Sequence, residues 1–224
     1  MSSLTISQID ETLESALKRR AAQDGVSVEE EARRLLRRAV LEEETPGLGQ
    51  RIAQRFHDLG VDGLPIPPPH GPPTASLPRR DGMILLDTNV LSELMRPTPA
   101  PQVLAWLDRQ VPSQVYLCAT VRAEIELGIA LLPDGRKRQA LYSVAQSMFR
   151  ENFADRCLPF DESAAIRYAE IVAVRLRTGC PISVEDAQIA ATALSCDLTL
   201  ASRNVRDFSG IPGLRLVDPW AMTP

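Results

Sequence analysis

The sequence predicts an α/β protein: a parallel central sheet covered by helices, preceded by a small strand-helix-helix module and a proline-rich strap. Three observations predict it. From Met83 onward, short apolar runs alternate with stretches of helical periodicity. Residues 4–43 instead hold one alternating run followed by two amphipathic stretches, and Pro65, Pro67, Pro68, Pro69, Pro72, Pro73 and Pro78 crowd the segment between.

Composition narrows the class. The chain has 224 residues, 44% of them hydrophobic, and no apolar run nears the ~20 residues that cross a bilayer. Ser2, Ser3, Asp10 and Glu11 replace the basic and apolar regions of a signal peptide, so a cytoplasmic protein without a membrane partner is expected. A net charge of −4 argues against a globally basic nucleic-acid binder and leaves local patches open. Cys118, Cys157, Cys180 and Cys196 are far apart and only His57 and His70 could join them, so buried free thiols are expected rather than a zinc site or disulfides.

Leu4 to Ile9 alternates apolar and polar residues, with Leu4 and Ile6 inward and Thr5 and Ser7 outward, as in a strand with one buried face. A helical pattern opens at Asp10 or Glu11, carries Leu13, Ala16 and Leu17 on one face, and closes near Gly25. Ser27 with Glu30 three residues on forms a capping box for a second helix bearing Ala32, Leu35, Leu36, Ala39 and Val40. So short a chain has little core of its own, and pairing with a second copy is the remedy.

This pattern resembles the ribbon-helix-helix antitoxins and repressors over roughly residues 2–43. The resemblance implies a dimer whose paired strands enter the DNA major groove, with Ser3, Thr5 and Ser7 facing bases and Ser27 at a phosphate-holding helix start. Family members often carry a basic residue where this chain has Ser7. The other reading is a dimerisation element that never touches DNA.

Residues 48–56 form a short amphipathic helix with Leu48, Ile52 and Phe56 four apart. The prolines that follow enforce an extended path, either a linker or a strap lying on another surface. Leu64 and Ile66 offer apolar side chains along it, and Arg79 and Arg80 close it. The expected organisation is a module at 1–44, a helix and strap at 45–82, and the α/β domain at 83–224.

In that domain, strands are predicted at 83–87, 115–119, 157–160, 198–201 and 214–217. Helices are predicted near 89–95, 102–109, 120–132, 137–151, 162–178 and 184–195. Asp87 ends the first strand, where it is either a helix cap or a metal ligand, and Thr88 or Asn89 is a further capping candidate. Glu124 lies early in the helix after the second strand, Asp186 in the first turn of a later helix, and Asn204 and Asp207 follow the fourth strand. All point to one rim of the sheet. Carboxylates gathered there stay ionised only around a cation, and oxygen donors select Mg²⁺ or Mn²⁺. Metal-dependent phosphodiester hydrolysis is the reaction class that follows.

Met83-Ile-Leu-Leu-Asp-Thr-Asn-Val-Leu-Ser-Glu93, Ala123-Glu-Ile125, Asp186-Ala-Gln-Ile-Ala-Ala-Thr-Ala193 and Ser202-Arg-Asn-Val-Arg-Asp-Phe208 are similar to the PIN-domain ribonuclease toxins, the VapC and FitB-like branch. The resemblance implies an RNase H-like α/β/α domain cleaving RNA with Mg²⁺ or Mn²⁺. It makes Asp87, Glu124 and Asp186 the catalytic and metal-binding acids, and Asn89 a residue that orders the site. The family's fourth acid falls where this chain has Asn204, a weaker ligand that Asp207 could supplement.

Glu93, Glu126, Glu162 and Glu185 read as solvated helix acids. Trp106 and Trp220 read as packing residues, and Gly47-Leu48-Gly49 fails as a dinucleotide motif. Taken together, a FitA- or VapB-like antitoxin appears fused to its toxin, as a homo-oligomer whose partners are RNA and operator DNA. Arg79 or Arg80 would block the acids of its own chain or of a neighbouring subunit. The rivals are a DNA-binding repressor whose PIN domain is a catalytically weak scaffold, and a DNA-directed PIN nuclease.

Overall fold

In the computed structural model the described residues are 11–24, 26–42, 46–60, 64 and 82–221. They fall into two compact units, Met1–Pro46 and Gly47–Pro224. The expected strand around 4–9 with Ser3, Thr5 and Ser7, the turn at Gly25, and Ile66, Arg79 and Arg80 lie outside the described residues.

The first unit contains α1 (Glu11–Asp24) and α2 (Val28–Glu42). Ser27 begins α2 as expected, its Oγ accepting from the Glu30 N–H at 3.1 Å. The Glu30 carboxylate is engaged by Arg33. Arg20 Nε donates to Glu31 Oε1 at 3.1 Å, tying the two helices beside buried Ala21. Leu36 stays 38% exposed, so the apolar face of α2 is incompletely covered within this unit.

The second unit is built on a parallel sheet in the order β3-β2-β1-β4-β5. The strands are β1 (Ile84–Leu86), β2 (Val115–Cys118), β3 (Cys157–Leu158), β4 (Thr199–Ala201) and β5 (Arg215–Val217). β1 is central, which is why its apolar run is unbroken: Leu85 and Leu86 are fully buried between helical layers. The helices are α3 (Leu48–Phe56), α4 (Thr88–Leu94), α5 (Pro101–Asp108), α6 (Ala119–Ala130), α7 (Arg136–Asn152), α8 (Glu162–Arg177), α9 (Val184–Ser195) and α10 (Val205–Phe208). The last of these was not anticipated, being a single turn.

Helix α3 belongs to this unit, and its apolar stripe shows why. Leu48, Ile52 and Phe56 are each no more than 1% exposed and join the same core cluster as β1. Gly47 and Gly49 acquire a meaning here. A Cβ on Gly47 would stand 2.2 Å from Asp108 Oδ1, and one on Gly49 would meet the Leu104 carbonyl oxygen at 3.1 Å. Only glycine lets α3 seat so closely on α5. The same Asp108 Oδ1 accepts from the Gln50 N–H at 3.1 Å, capping α3 from a neighbouring helix. Arg55 donates to Glu151 at 2.5 Å on α7, and Leu64 rests against Gly128 of α6.

Two expectations are corrected. Glu93 is 7% exposed rather than solvated, because its carboxylate turns back to accept from the Ala100 N–H at 2.9 Å and from Arg96 at 3.2 Å. Cys157 and Cys180 are exposed, since one lies on the edge strand β3 and the other in the loop after α8; of the four thiols only Cys118 is fully buried.

Candidate active site

Asp87 follows β1 directly, its backbone N–H donating to the Ala201 carbonyl of β4 at 2.9 Å. It is the N-cap of α4, so neither Thr88 nor Asn89 takes that place. The carboxylate is 3% exposed and receives three donors: the Thr88 N–H at 2.7 Å, Asn89 Nδ2 at 2.6 Å and Ser202 Oγ at 2.6 Å. Burial pushes its pKa up to about 7; the Ser202 bond opposes this, the negative charge of Asp186 adds to it, the Thr88 bond opposes and Glu124 adds.

Glu124 sits on α6, which starts where β2 ends, and its Oε2 accepts from Thr88 Oγ1 at 2.5 Å. Its pKa is also raised, first by burial, against the Thr88 bond, and further by Asp186 and Glu185. Asp186 occupies the first turn of α9, where Ser183 Oγ accepts its N–H at 3.0 Å. Because α9 runs back toward the start of β4, its own beginning lies at the carboxyl rim of the sheet. Thr120 Oγ1 donates to Gln188 Oε1 at 3.1 Å, joining the helices that carry Glu124 and Asp186.

The other predicted residues bind one another. Asn89 Oδ1 accepts from the Arg203 N–H at 3.1 Å, so it braces the loop after β4 while donating to Asp87. Asn204 Nδ2 donates to Asp207 Oδ2 at 2.7 Å, and its N–H donates to Ser202 Oγ at 2.8 Å. Asn204 Oδ1 is buried without a hydrogen-bond partner. Glu185 is exposed, as read from the sequence.

Sequence reasoning missed Ser202 and Thr88. Ser202 is fully buried and bridges Asp87, Asn89 and Asn204, and Thr88 bridges Asp87 and Glu124. The signal was present: a hydroxyl residue directly after each of two strands or their acids.

Asp87, Glu124 and Asp186 thus share one electrostatic field. Among the described residues no three His, Cys, Asp or Glu side chains are set closely enough to form a ready cage for an ion. The donor chemistry nevertheless fits a hard divalent cation: oxygen atoms only, an Asp186 charge that raises the proton affinity of both Asp87 and Glu124, and the buried unsatisfied oxygen of Asn204.

A family model for the PIN domain matches residues 84–214. The chain belongs to the PIN-domain family. A second model, for the FitA-like ribbon-helix-helix antitoxin, matches residues 2–40, so one polypeptide carries both regions. Toxin FitB of Neisseria gonorrhoeae is 43% identical over 138 residues, 62% of this chain and 99% of FitB. VapC ribonuclease Y4jK of Sinorhizobium fredii is 38% identical over 138 residues, 62% of this chain and 98% of its own length. The crystal structure of FitAcB from N. gonorrhoeae matches with a TM-score of 0.59 at 42% identity, covering 62% of this chain and all of that one. A structure of FitAB bound to an IR36 DNA fragment matches equally at 41% identity, covering 63% and 99%. In the PIN domain of this chain, all three acids lie inside the matched span. No helix among the described residues is long and apolar enough to cross a membrane.

Proposed function

We propose that this chain is a toxin–antitoxin fusion: a Mg²⁺- or Mn²⁺-dependent endoribonuclease held inactive by its antitoxin-like segment, which also binds operator DNA. The observation that carries the nuclease reading is the environment of Asp87, a buried carboxyl raised to about 7 with Asp186 and Glu124 in its field. Carboxyls are brought together in this way where a cation belongs. Asp87, Glu124 and Asp186 would hold the ion, with Asn204 Oδ1 a neutral fourth donor and Asp207 tied to Asn204. When bound, the ion supplies charge neutralisation at the phosphodiester and acidifies a water. The chain's own part is orientation. Thr88, Asn89 and Ser202 fix the Asp87 carboxylate through donors, and Thr88 fixes Glu124.

The inhibitory reading is supported by α3, whose Leu48, Ile52 and Phe56 are core residues of the PIN unit, and by Leu64 on the same helix, α6, as Glu124. Beyond Leu64, the strap with Ile66, Arg79 and Arg80 would reach the acids of its own chain or of a neighbouring subunit. Operator binding would use Ser3, Thr5 and Ser7 against bases and Ser27 with the start of α2 against a phosphate; the FitAB–DNA complex supports it. Lys18 and Arg20 are already paired with Glu14 and Glu31.

The test is RNA cleavage in Mn²⁺ by the intact chain, by residues 83–224 and by 83–224 with Asp87→Asn. The intact chain should cleave poorly, 83–224 well, and the Asn variant at least about a hundredfold less than its parent. Equal cleavage by the first two would refute inhibition; equal cleavage by the last two would refute metal catalysis at Asp87. The Asn204–Asp207 bond favours a second reading, a DNA-binding repressor whose PIN domain is catalytically weak. Salt-dependent promoter binding with no cleavage by 83–224 would select it.

A further inference from the structure

Arg203 stands two hydrogen bonds from Asp87: its N–H donates to Asn89 Oδ1 at 3.1 Å, and Asn89 Nδ2 donates to Asp87 at 2.6 Å. Its neighbour Ser202 also donates to Asp87, so the backbone at 203 is fixed to the acidic centre from both sides. The side chain, by contrast, is exposed, and its guanidinium lies over the Trp220 ring, 5.2 Å from the centroid. Among the described residues no carboxylate pairs with it within 4 Å.

Trp220 is placed just as firmly. It belongs to the turn Pro219–Ala221 after β5, the strand beside β4, and Asp218 Oδ1 accepts its N–H at 2.9 Å. Asp218 is 1% exposed, so this anchor is buried; its charge also acts on Arg203, and the indole is partly buried against the core. Trp220 packs against the core, as read from the sequence, and one face also carries the Arg203 guanidinium.

A polyanion approaching Asp87, Glu124 and Asp186 meets repulsion unless a fixed cation stands nearby. Arg is suited to this, since its planar fork stacks on an aromatic ring and still presents donors to phosphate oxygens. The Arg203 plane, backed by the Trp220 ring, is itself a surface on which any base can stack. Resting on the nuclease reading above, we propose that Arg203 and Trp220 form a substrate-binding subsite for single-stranded RNA. Arg203 holds a backbone phosphate next to the scissile bond, and the Arg203–Trp220 stack supports the adjoining base.

The chain contains two tryptophans, and Trp106 is buried, so a full-length Trp106→Phe variant leaves Trp220 as the only indole reporter. Asp87→Asn is added to prevent turnover, and the probe is a single-stranded oligoribonucleotide of about six nucleotides. Trp220 emission should be quenched saturably. Arg203→Ala should raise the midpoint about tenfold and lower the salt slope by about 0.7, the share of one phosphate contact on a single strand. Arg203→Lys should keep most of the slope and lose part of the quenching, because the charge persists without the planar stack. Unchanged emission in both the full-length parent and the same variant of residues 83–224, or an Arg203→Ala titration matching the parent in midpoint and slope, overturns the subsite; quenching in the shorter chain alone upholds it and reports the proposed restraint. If Asp87→Asn abolishes cleavage while Arg203→Ala binds normally, only the subsite fails. If Asp87→Asn leaves cleavage intact, the nuclease reading itself fails.

Discussion

Asp87 is both a helix cap and a buried carboxyl of the rim with a strongly raised pKa, and these roles have opposite electrostatic demands. As a cap it favours the charge; in a buried field shared with Asp186 and Glu124 it resists it. The folded chain keeps the Asp87 proton up to about pH 7, whereas a free carboxyl loses it near 3.8. In that window the folded state binds more protons than the unfolded one, so this group's contribution to stability is full below it and is lost as pH rises through it. Melting of the metal-free chain should therefore show a decline from pH 5 to pH 8, roughly spanning the shift, that Asp87→Asn reduces. Mn²⁺ should raise the melting temperature more at the upper end than at the lower. An Asp87→Asn chain with the parent's pH dependence would contradict this. Asp87 and Asp186 were legible because one ends a strand and the other lies in the first turn of a helix, and Glu124 because its helix follows a strand directly; Ser202 and Thr88 were not, since hydroxyls after strands usually serve as turns or caps.

Helix α3 shows what periodicity tells and what it leaves out. The spacing of Leu48, Ile52 and Phe56 predicted the helix and its apolar face. What the helix seats against was invisible, because Leu104 and Asp108, which meet Gly47, Gly49 and Gln50, lie more than fifty positions away in sequence. The glycines at 47 and 49 looked like a failed nucleotide motif for the same reason. Gly47→Ala should force Asp108 aside and loosen α3, costing about 1–3 kcal/mol of stability. If α3 helps restrain the nuclease, the same change should raise RNA cleavage by the intact chain. Lower stability with unchanged cleavage would mean that α3 is structural only. The five strands were legible from their apolar runs, although each is shorter in the fold than read, since the terminal residues turn away toward caps and loops. Glu93 escaped because its partner, the Ala100 N–H, lies beyond the end of its own helix.

At the scale of the whole molecule the two units differ in self-sufficiency. The PIN unit has a continuous core; among the described side chains of α1 and α2 only Ala21 and Glu31 are buried, with Leu36 left 38% exposed. Pairing of two chains through this module should make the protein at least a dimer, and Leu36→Asp should weaken it, read as a concentration-dependent fall in mass by light scattering. A strictly monomeric parent would refute the expectation. The seating of α3 in the PIN core has a kinetic meaning too. An inhibitor supplied by a separate chain escapes on dilution; if the segment ahead of β1 restrains the enzyme as proposed, it does so at a fixed effective concentration however dilute the protein is. If the restraint proposed above holds, the two parts are made in a fixed one-to-one ratio, since the antitoxin-like and PIN regions share one polypeptide. Under the proposed restraint, the enzyme's onset would then be set by a change within a single polypeptide rather than by the balance of two.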